Sequence, residues 1–315
     1  MRDLLCVGNA VADTSARPVT ALPERGKLRL LDEIGLNAGG CATLSSIAGA
    51  RLGLKTGVGI AVGRDAYGDF LAATLRREGV DTRGIARDHR HQTSSTVVVI
   101  SPDGERGFLH VIGASAGLKE PGISSALLRG YHALHLSGYF ILPGLDGAPA
   151  RRLLARAKRL GLETSLDTCW DPRRRWHLVR MCLPFVDWYL PSIEEARETF
   201  ASTDLKTIAR RALACGVRRG VILKRGADGV YALTKAGEEH LVRAFRVKAV
   251  DATGAGDCFD AGFWSGLLRG RPLPEALRLG CAAGALSVAG FGGIGSLRSL
   301  AQARALGRAR RSPPR

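Results

Sequence analysis

The segment Val250-Asp251-Ala252-Thr253-Gly254-Ala255-Gly256-Asp257-Cys258-Phe259 combines residue types that phosphoryl-group chemistry needs. Two glycines in a turn let the main chain approach a ligand closely. Phe259, Phe263 and Leu267 then recur every four residues, which predicts a helix over 256–268. The first amides of such a helix lack internal partners, and its dipole is positive at that end, so an anion is favoured there. Asp257 falls in the first turn, beside the anion. Its carboxylate is expected to be ionised at neutral pH under the same dipole and able to take the proton of an attacking hydroxyl. An aspartate at a helix start is also an ordinary cap. The full string Asp-x-Thr-Gly-Ala-Gly-Asp is far more specific than a cap requires.

That string resembles the signature of the PfkB/ribokinase family of carbohydrate and nucleoside kinases. The resemblance implies that Asp257 is the catalytic base and that the backbone of Gly254, Ala255 and Gly256 forms an anion hole. It extends along nearly the whole chain. Asn37-Ala38-Gly39-Gly40-Cys41-Ala42 is similar to the family's N-terminal Gly-Gly motif, which implies that Gly39 and Gly40 lie against substrate hydroxyls. Asp13, in Gly8-Asn9-Ala10-Val11-Ala12-Asp13, matches by position the family's sugar-binding aspartate, whose carboxylate accepts from two hydroxyls. Lys224-Arg225-Gly226-Ala227-Asp228-Gly229-Val230 resembles the nucleotide loop, so Lys224, Gly226 and Gly229 are expected at ATP.

Leu190-Pro191-Ser192-Ile193-Glu194-Glu195-Ala196 resembles a second signature that orders magnesium and phosphate. Glu195 is in place, whereas Ser192 stands where asparagine is usual. Leu44 and Ser115 also stand where sugar kinases of the family often carry asparagine, so the resemblance names no particular sugar. Finally, Ser287, Gly290, Gly292 and Ser296, with the Asp251 side chain and the Thr253 carbonyl, match the region that binds a monovalent cation in ribokinase-like members. The resemblance therefore implies K⁺ beside ATP and Mg²⁺.

The elements that must position these residues alternate. Strand patterns at 4–7, 55–62, 133–136, 163–166, 188–190 and 220–224 interleave with helical patterns at 41–52, 67–78, 148–160, 193–200, 205–215 and 273–289. This is the mark of a mostly parallel sheet covered by helices, an α/β fold. The resemblance implies a ribokinase-like three-layer sandwich in one domain over 1–315. Segments 27–35 and 93–112 read as strands without crossover helices, the second turning at Ser101-Pro102-Asp103-Gly104. Together they predict a small antiparallel sheet, a β lid drawn from about 14–38 and 92–114. Its bare apolar face would suit a homodimer formed through the lid.

Composition narrows the partners. The net charge of +17 comes from arginines spread along the chain without the aromatic interleaving that stacks bases, so no nucleic-acid partner is expected. Only 304–315 is a concentrated basic run, and it is expected to be a disordered tail. No apolar run reaches the ~18 residues of a membrane span. The apolar start to Ala12 reads as a buried first strand, which predicts a cytoplasmic protein. Seven scattered cysteines without a Cys-x-x-Cys pair fit reduced thiols. The P-loop pattern Gly-x-x-x-x-Gly-Lys-Ser/Thr does not occur, and the glycines at 57, 59 and 63 have the wrong spacing for a dinucleotide fold. The reading that results is an ATP-dependent kinase acting on a hydroxyl of a sugar or sugar derivative. A nucleoside kinase of the same family and a non-catalytic sugar or nucleotide sensor are the alternatives.

Overall fold

In β1 (Arg2–Val7), Leu4 and Cys6 point to one side of a sheet and Leu5 and Val7 to the other, all fully buried. A strand apolar on both faces belongs inside a sheet covered on both sides. The computed structural model describes residues 1–102 and 105–308 of the 315. From β1 the chain runs through β2 (Val11–Arg17), β3 (Glu33–Gly39), α1 (Cys41–Arg51), β4 (Thr56–Gly63), α2 (Ala66–Arg77), β5 (Asp81–Asp88), β6 (Ser95–Ile100) and β7 (Arg106–Val111). The short α3 (Ser125–Leu128) leads to β8 (Tyr131–Tyr139), α4 (Ala148–Arg159), β9 (Glu163–Thr168), α5 (His177–Arg180), β10 (Trp188–Tyr189), α6 (Ile193–Phe200) and α7 (Leu205–Ala214). Then follow β11 (Gly220–Lys224), β12 (Val230–Thr234), β13 (Glu239–Val242), α8 (Ala255–Leu267), α9 (Leu273–Val288) and α10 (Leu300–Arg308).

Among the described residues a nine-stranded sheet has the order β13-β12-β11-β10-β9-β8-β1-β4-β5. All pairs are parallel except those made by β12 and β13, which return antiparallel at one edge. Helices α1, α2, α8 and α9 bury Ile47, Leu71, Phe263 and Leu277 against one face. On the opposite face α4, α6 and α7 bury Leu153, Phe200 and Ile208. The result is the three-layer α/β sandwich, with the carboxyl ends of the parallel strands at one rim, where such folds bind ligands.

The second sheet has the order β3-β2-β6-β7 and is mixed rather than antiparallel. Its outer pairs are antiparallel, but β2 runs parallel to β6. The reason lies in the main sheet: β1 and β5 point the same way, and each leads into its lid strand from the same rim. The segment 27–35 is also corrected. Strand β3 begins only at Glu33, which pairs with Arg17, the last residue of β2. Pro18 has no N–H with which to extend the ladder, so 27–32 has no partner strand, and Leu28 is 87% exposed. Ser101 N donates to Glu105 O and closes the β6–β7 hairpin. Asp103 and Gly104, half of the turn read at 101–104, lie outside the described residues. The basic run at 304–315 does not begin as a disordered tail: its residues up to Arg308 belong to α10, with Ala303 buried just before it. The remainder, 309–315, lies outside the described residues. No described helix is long and apolar enough to cross a membrane.

Candidate active site

Helix α8 starts at a sharp turn. Gly254 has φ +72°, in the left-handed region, and a Cβ there would collide with the Gly293 carbonyl. Glycine is therefore required where the chain turns into the helix, and the Ala255 amide closes that turn by donating to Ala252 O at 3.3 Å. Leu44, 3% exposed, packs its Cδ1 against both Gly254 and Gly293. It packs behind the turn. The leucine that stands where asparagine is usual is thus buried against the turn. Ser115 is likewise buried, bonded to Ser94 Oγ at 2.6 Å.

Asp257 is buried in the first turn of α8. Burial, and then the nearby Asp167 carboxylate, push its pKa up to about 7; Lys224, the Cys41 thiol and Ser45 Oγ at 3.5 Å pull the other way. The expectation of a carboxylate ionised by the helix dipole is therefore corrected. Desolvation and a like charge outweigh a half-charge dipole, leaving the group poised near neutrality.

Beside it stands a cation that the sequence had placed only at the nucleotide loop. Lys224 ends β11, and its Nζ lies 2.8 Å from Asp167 Oδ1, at the end of β9, and 3.2 Å from Asp260 Oδ2, one turn further along α8. Burial works against the charged amine, but the two carboxylates more than compensate and raise its pKa. A Cβ on Gly256 would sit 3.2 Å from this Nζ, so the ammonium lies against the first turn of α8. Asp167 Oδ1 has no well-aligned hydrogen bond, and its approach to Lys224 is ionic.

Two cavities flank the 251–257 turn. The larger, about 850 Å³, is lined by Ser192, Glu195, Lys224, Gly226, Gly229 and 254–257. Ser192 caps α6 in a reciprocal box: its Oγ accepts from Glu195 N at 3.3 Å, and Glu195 Oε2 accepts from Ser192 N at 3.1 Å. Glu195 is pushed up to about 7 by burial and by Asp167. The smaller cavity, about 340 Å³, lies under the second sheet and is lined by Asp13, Gly40, Thr96, Arg106, Asp251, Thr253 and Gly292, among others. Asp13 faces it from the middle of β2, not from a loop, and burial brings its carboxyl up to about 6. A Cβ on Gly39 would overlap the Asp13 carboxylate, so this glycine makes room for the side chain that faces the cavity.

Of the residues matched to a cation site, Ser287 Oγ donates to Gly284 O at 2.8 Å and Ser296 Oγ to Ala289 O at 3.2 Å. Asp251 and Thr253 meet Arg106 of the second sheet instead. Sequence reasoning passed over Asp167, Asp260 and Arg106 as chemical groups. A signal existed for Asp167, a carboxylate closing a parallel strand at the ligand-binding rim. Asp260 is legible only once α8 is known to be buried.

The sequence pattern of the pfkB family carbohydrate kinases matches residues 1–300. An uncharacterized sugar kinase of Archaeoglobus fulgidus is 30% identical over 236 residues, 73% of this chain and 90% of that protein. Arabidopsis thaliana ribokinase, complexed with ribose and ATP, superposes with a TM-score of 0.83 at 23% identity, covering 98% of this chain and 99% of that one. A candidate ribokinase II of Escherichia coli, complexed with ATP and Mg²⁺, gives 0.84 at 23% identity, covering 97% and 99%. At these identities the two structures share the fold.

Proposed function

Since the chain belongs to the pfkB family of carbohydrate kinases, we propose that it moves the γ-phosphoryl group of ATP to a hydroxyl of a sugar or sugar derivative. One observation carries this reading. The buried Asp257 carboxylate, the glycine-led start of α8 and the largely shielded Lys224 ammonium line one cavity, and the 251–254 turn contributes residues to both it and the cavity that Asp13 faces. A sensor would need the cavities but not the base.

In this reading the acceptor lies in the smaller cavity, with two hydroxyls on Asp13 and its ring against Gly39 and Gly40. A further hydroxyl faces Asp257, gives up its proton to that carboxylate and attacks the γ-phosphorus; the bond to the β-phosphate oxygen breaks and ADP departs. The amides of 254–256 and the Lys224 ammonium hold the charge on the transferred group. Glu195 lines the nucleotide cavity, where its carboxylate would face Mg²⁺ bound chiefly by phosphates, whereas Asp167 is already paired with Lys224. When bound, the ion would neutralise phosphate charge. The second sheet would close over the acceptor and exclude water.

The outer face of that sheet exposes Ile34, Leu36, Val97, Leu109 and Val111, a patch that a second copy would cover. Light scattering should then give a dimer that Leu109→Asp disrupts. ATP as the donor and free cysteines throughout are consistent with the cytoplasm. The reading is tested by measuring ADP release over sugars, sugar acids, sugar phosphates and nucleosides; nucleosides alone as acceptors would move the assignment to a nucleoside kinase.

A further inference from the structure

Among the residues matched to a monovalent-cation site, Asp251 supplies the one formal charge, and the structure shows that charge already answered. Asp251 Oδ1 accepts from Arg106 Nη1 and from Thr253 N at 2.8 Å; Oδ2 accepts from Gly292 N at 3.0 Å. The guanidinium also donates from Nη2 to Val250 O at 3.0 Å and from Nη1 to Thr253 Oγ1 at 3.2 Å. Gly292 O is turned toward the amides of Ile294 and Gly295. Oxygens bonded by N–H groups are poor ligands for a metal ion, and a second cation would be repelled by the guanidinium a few ångströms away. The residues present do not fit K⁺.

We propose that Arg106 is the resident cation of this turn, a guanidinium carried on β7 that balances Asp251 and ties the second sheet to the loop entering the anion hole. The geometry favours arginine for the task, because its planar fork meets a carboxylate, a hydroxyl and a carbonyl at once. Arg106 side-chain exposure is only 14%, so the ion pair is well shielded from salt. Asp251 in turn holds Thr253 N, one residue before the glycine that starts the hole. Arg106 also lines the acceptor cavity. It is therefore a positioning residue: closure of the sheet and the shape of the anion hole are one event, and K⁺ is not needed for either.

This inference rests on the kinase reading only for its turnover arm. Thermal melting and amide exchange of 250–257 are measured without acceptor, in KCl and in tetramethylammonium chloride at equal ionic strength, for wild type, Arg106→Gln and Arg106→Lys. Wild type should behave alike in the two salts. Arg106→Gln strands a shielded carboxylate, so exchange at 250–257 should accelerate about tenfold or more and should slow again in KCl, as the freed oxygens accept the ion. Arg106→Lys, which restores a cation, should stay nearer wild type. Melting or exchange of the wild type that responds to K⁺ specifically, or unchanged exchange in Arg106→Gln, would overturn the proposal. In the turnover arm, Arg106→Gln should lose kcat at saturating acceptor rather than only raise KM. If no acceptor is phosphorylated while the exchange results hold, the kinase reading fails and the tie stands.

Discussion

Lys224 and Asp167, from the carboxyl ends of two different strands of the main sheet, meet in a largely shielded ion pair 2.8 Å long against Gly256 at the start of α8. A parallel sheet brings such ends to one rim whatever their separation in sequence. The pair lets the site hold an ammonium at fixed position before any phosphate arrives, and preorganised charge of this kind stabilises a transition state most effectively.

Replacing Lys224 by Gln should therefore lower kcat by about 10²–10³-fold while changing the KM for ATP much less. Because the substitution leaves Asp167 and Asp260 without their counter-charge, Lys224→Gln is to be compared with Lys224→Gln/Asp260→Asn, which preserves the net charge of the cluster. Both should lose turnover; recovery of turnover in the double variant would show that Lys224 acts only through folding.

The pH dependence follows from Asp257. Burial and Asp167 raise its pKa to about 7, and only the deprotonated form can accept a proton. Thus kcat/KM should climb with pH up to about 7 and level off above, losing roughly tenfold per pH unit on the acid side. Asp167→Asn removes a like charge, so the acid limb should move to lower pH. A limb that stays in place or moves upward would refute the assignment of that pKa to Asp257.

Lid closure should appear in amide exchange. Acceptor binding should slow exchange in β3, β6 and β7, ATP alone should do so much less, and Asp13→Ala should abolish the effect, since the Asp13 carboxylate faces the smaller cavity from the sheet and would accept from two acceptor hydroxyls. Equal protection by ATP alone, or protection that persists in Asp13→Ala at saturating acceptor, would separate the sheet from substrate closure.

The legible parts of the fold are those where one stretch of sequence carries its own pattern. Strand β1 is apolar on both faces, and α8 announces itself through Phe259, Phe263 and a glycine turn. Strand β5, Asp-Thr-Arg-Gly-Ile-Ala-Arg-Asp, sits at a sheet edge and keeps polar residues on most positions, so no run marks it. Strand β2 is disguised in the same way, because the face bearing Asp13, Ser15 and Arg17 is built for a polar cavity rather than a core. Within the site, the glycine turn and its aspartate were readable from spacing. The Lys224–Asp167–Asp260 cluster and the Arg106–Asp251 tie were not, because each joins segments far apart in the chain and neither has a local period. The raised pKa of Asp257 was likewise illegible, since it depends on burial and on a carboxylate from another strand.

In the proposed transfer, Asp257 takes the acceptor proton as the phosphoryl group moves. The most direct test of that role is single-turnover transfer from γ-labelled ATP to the best acceptor of the panel, comparing wild type with Asp257→Ala and Asp257→Asn at saturating substrates. The transfer step should slow by about 10²–10⁴-fold, with acceptor affinity by calorimetry nearly unchanged. Transfer by Asp257→Ala within a few-fold of wild type would contradict it and leave Asp257 as a helix cap.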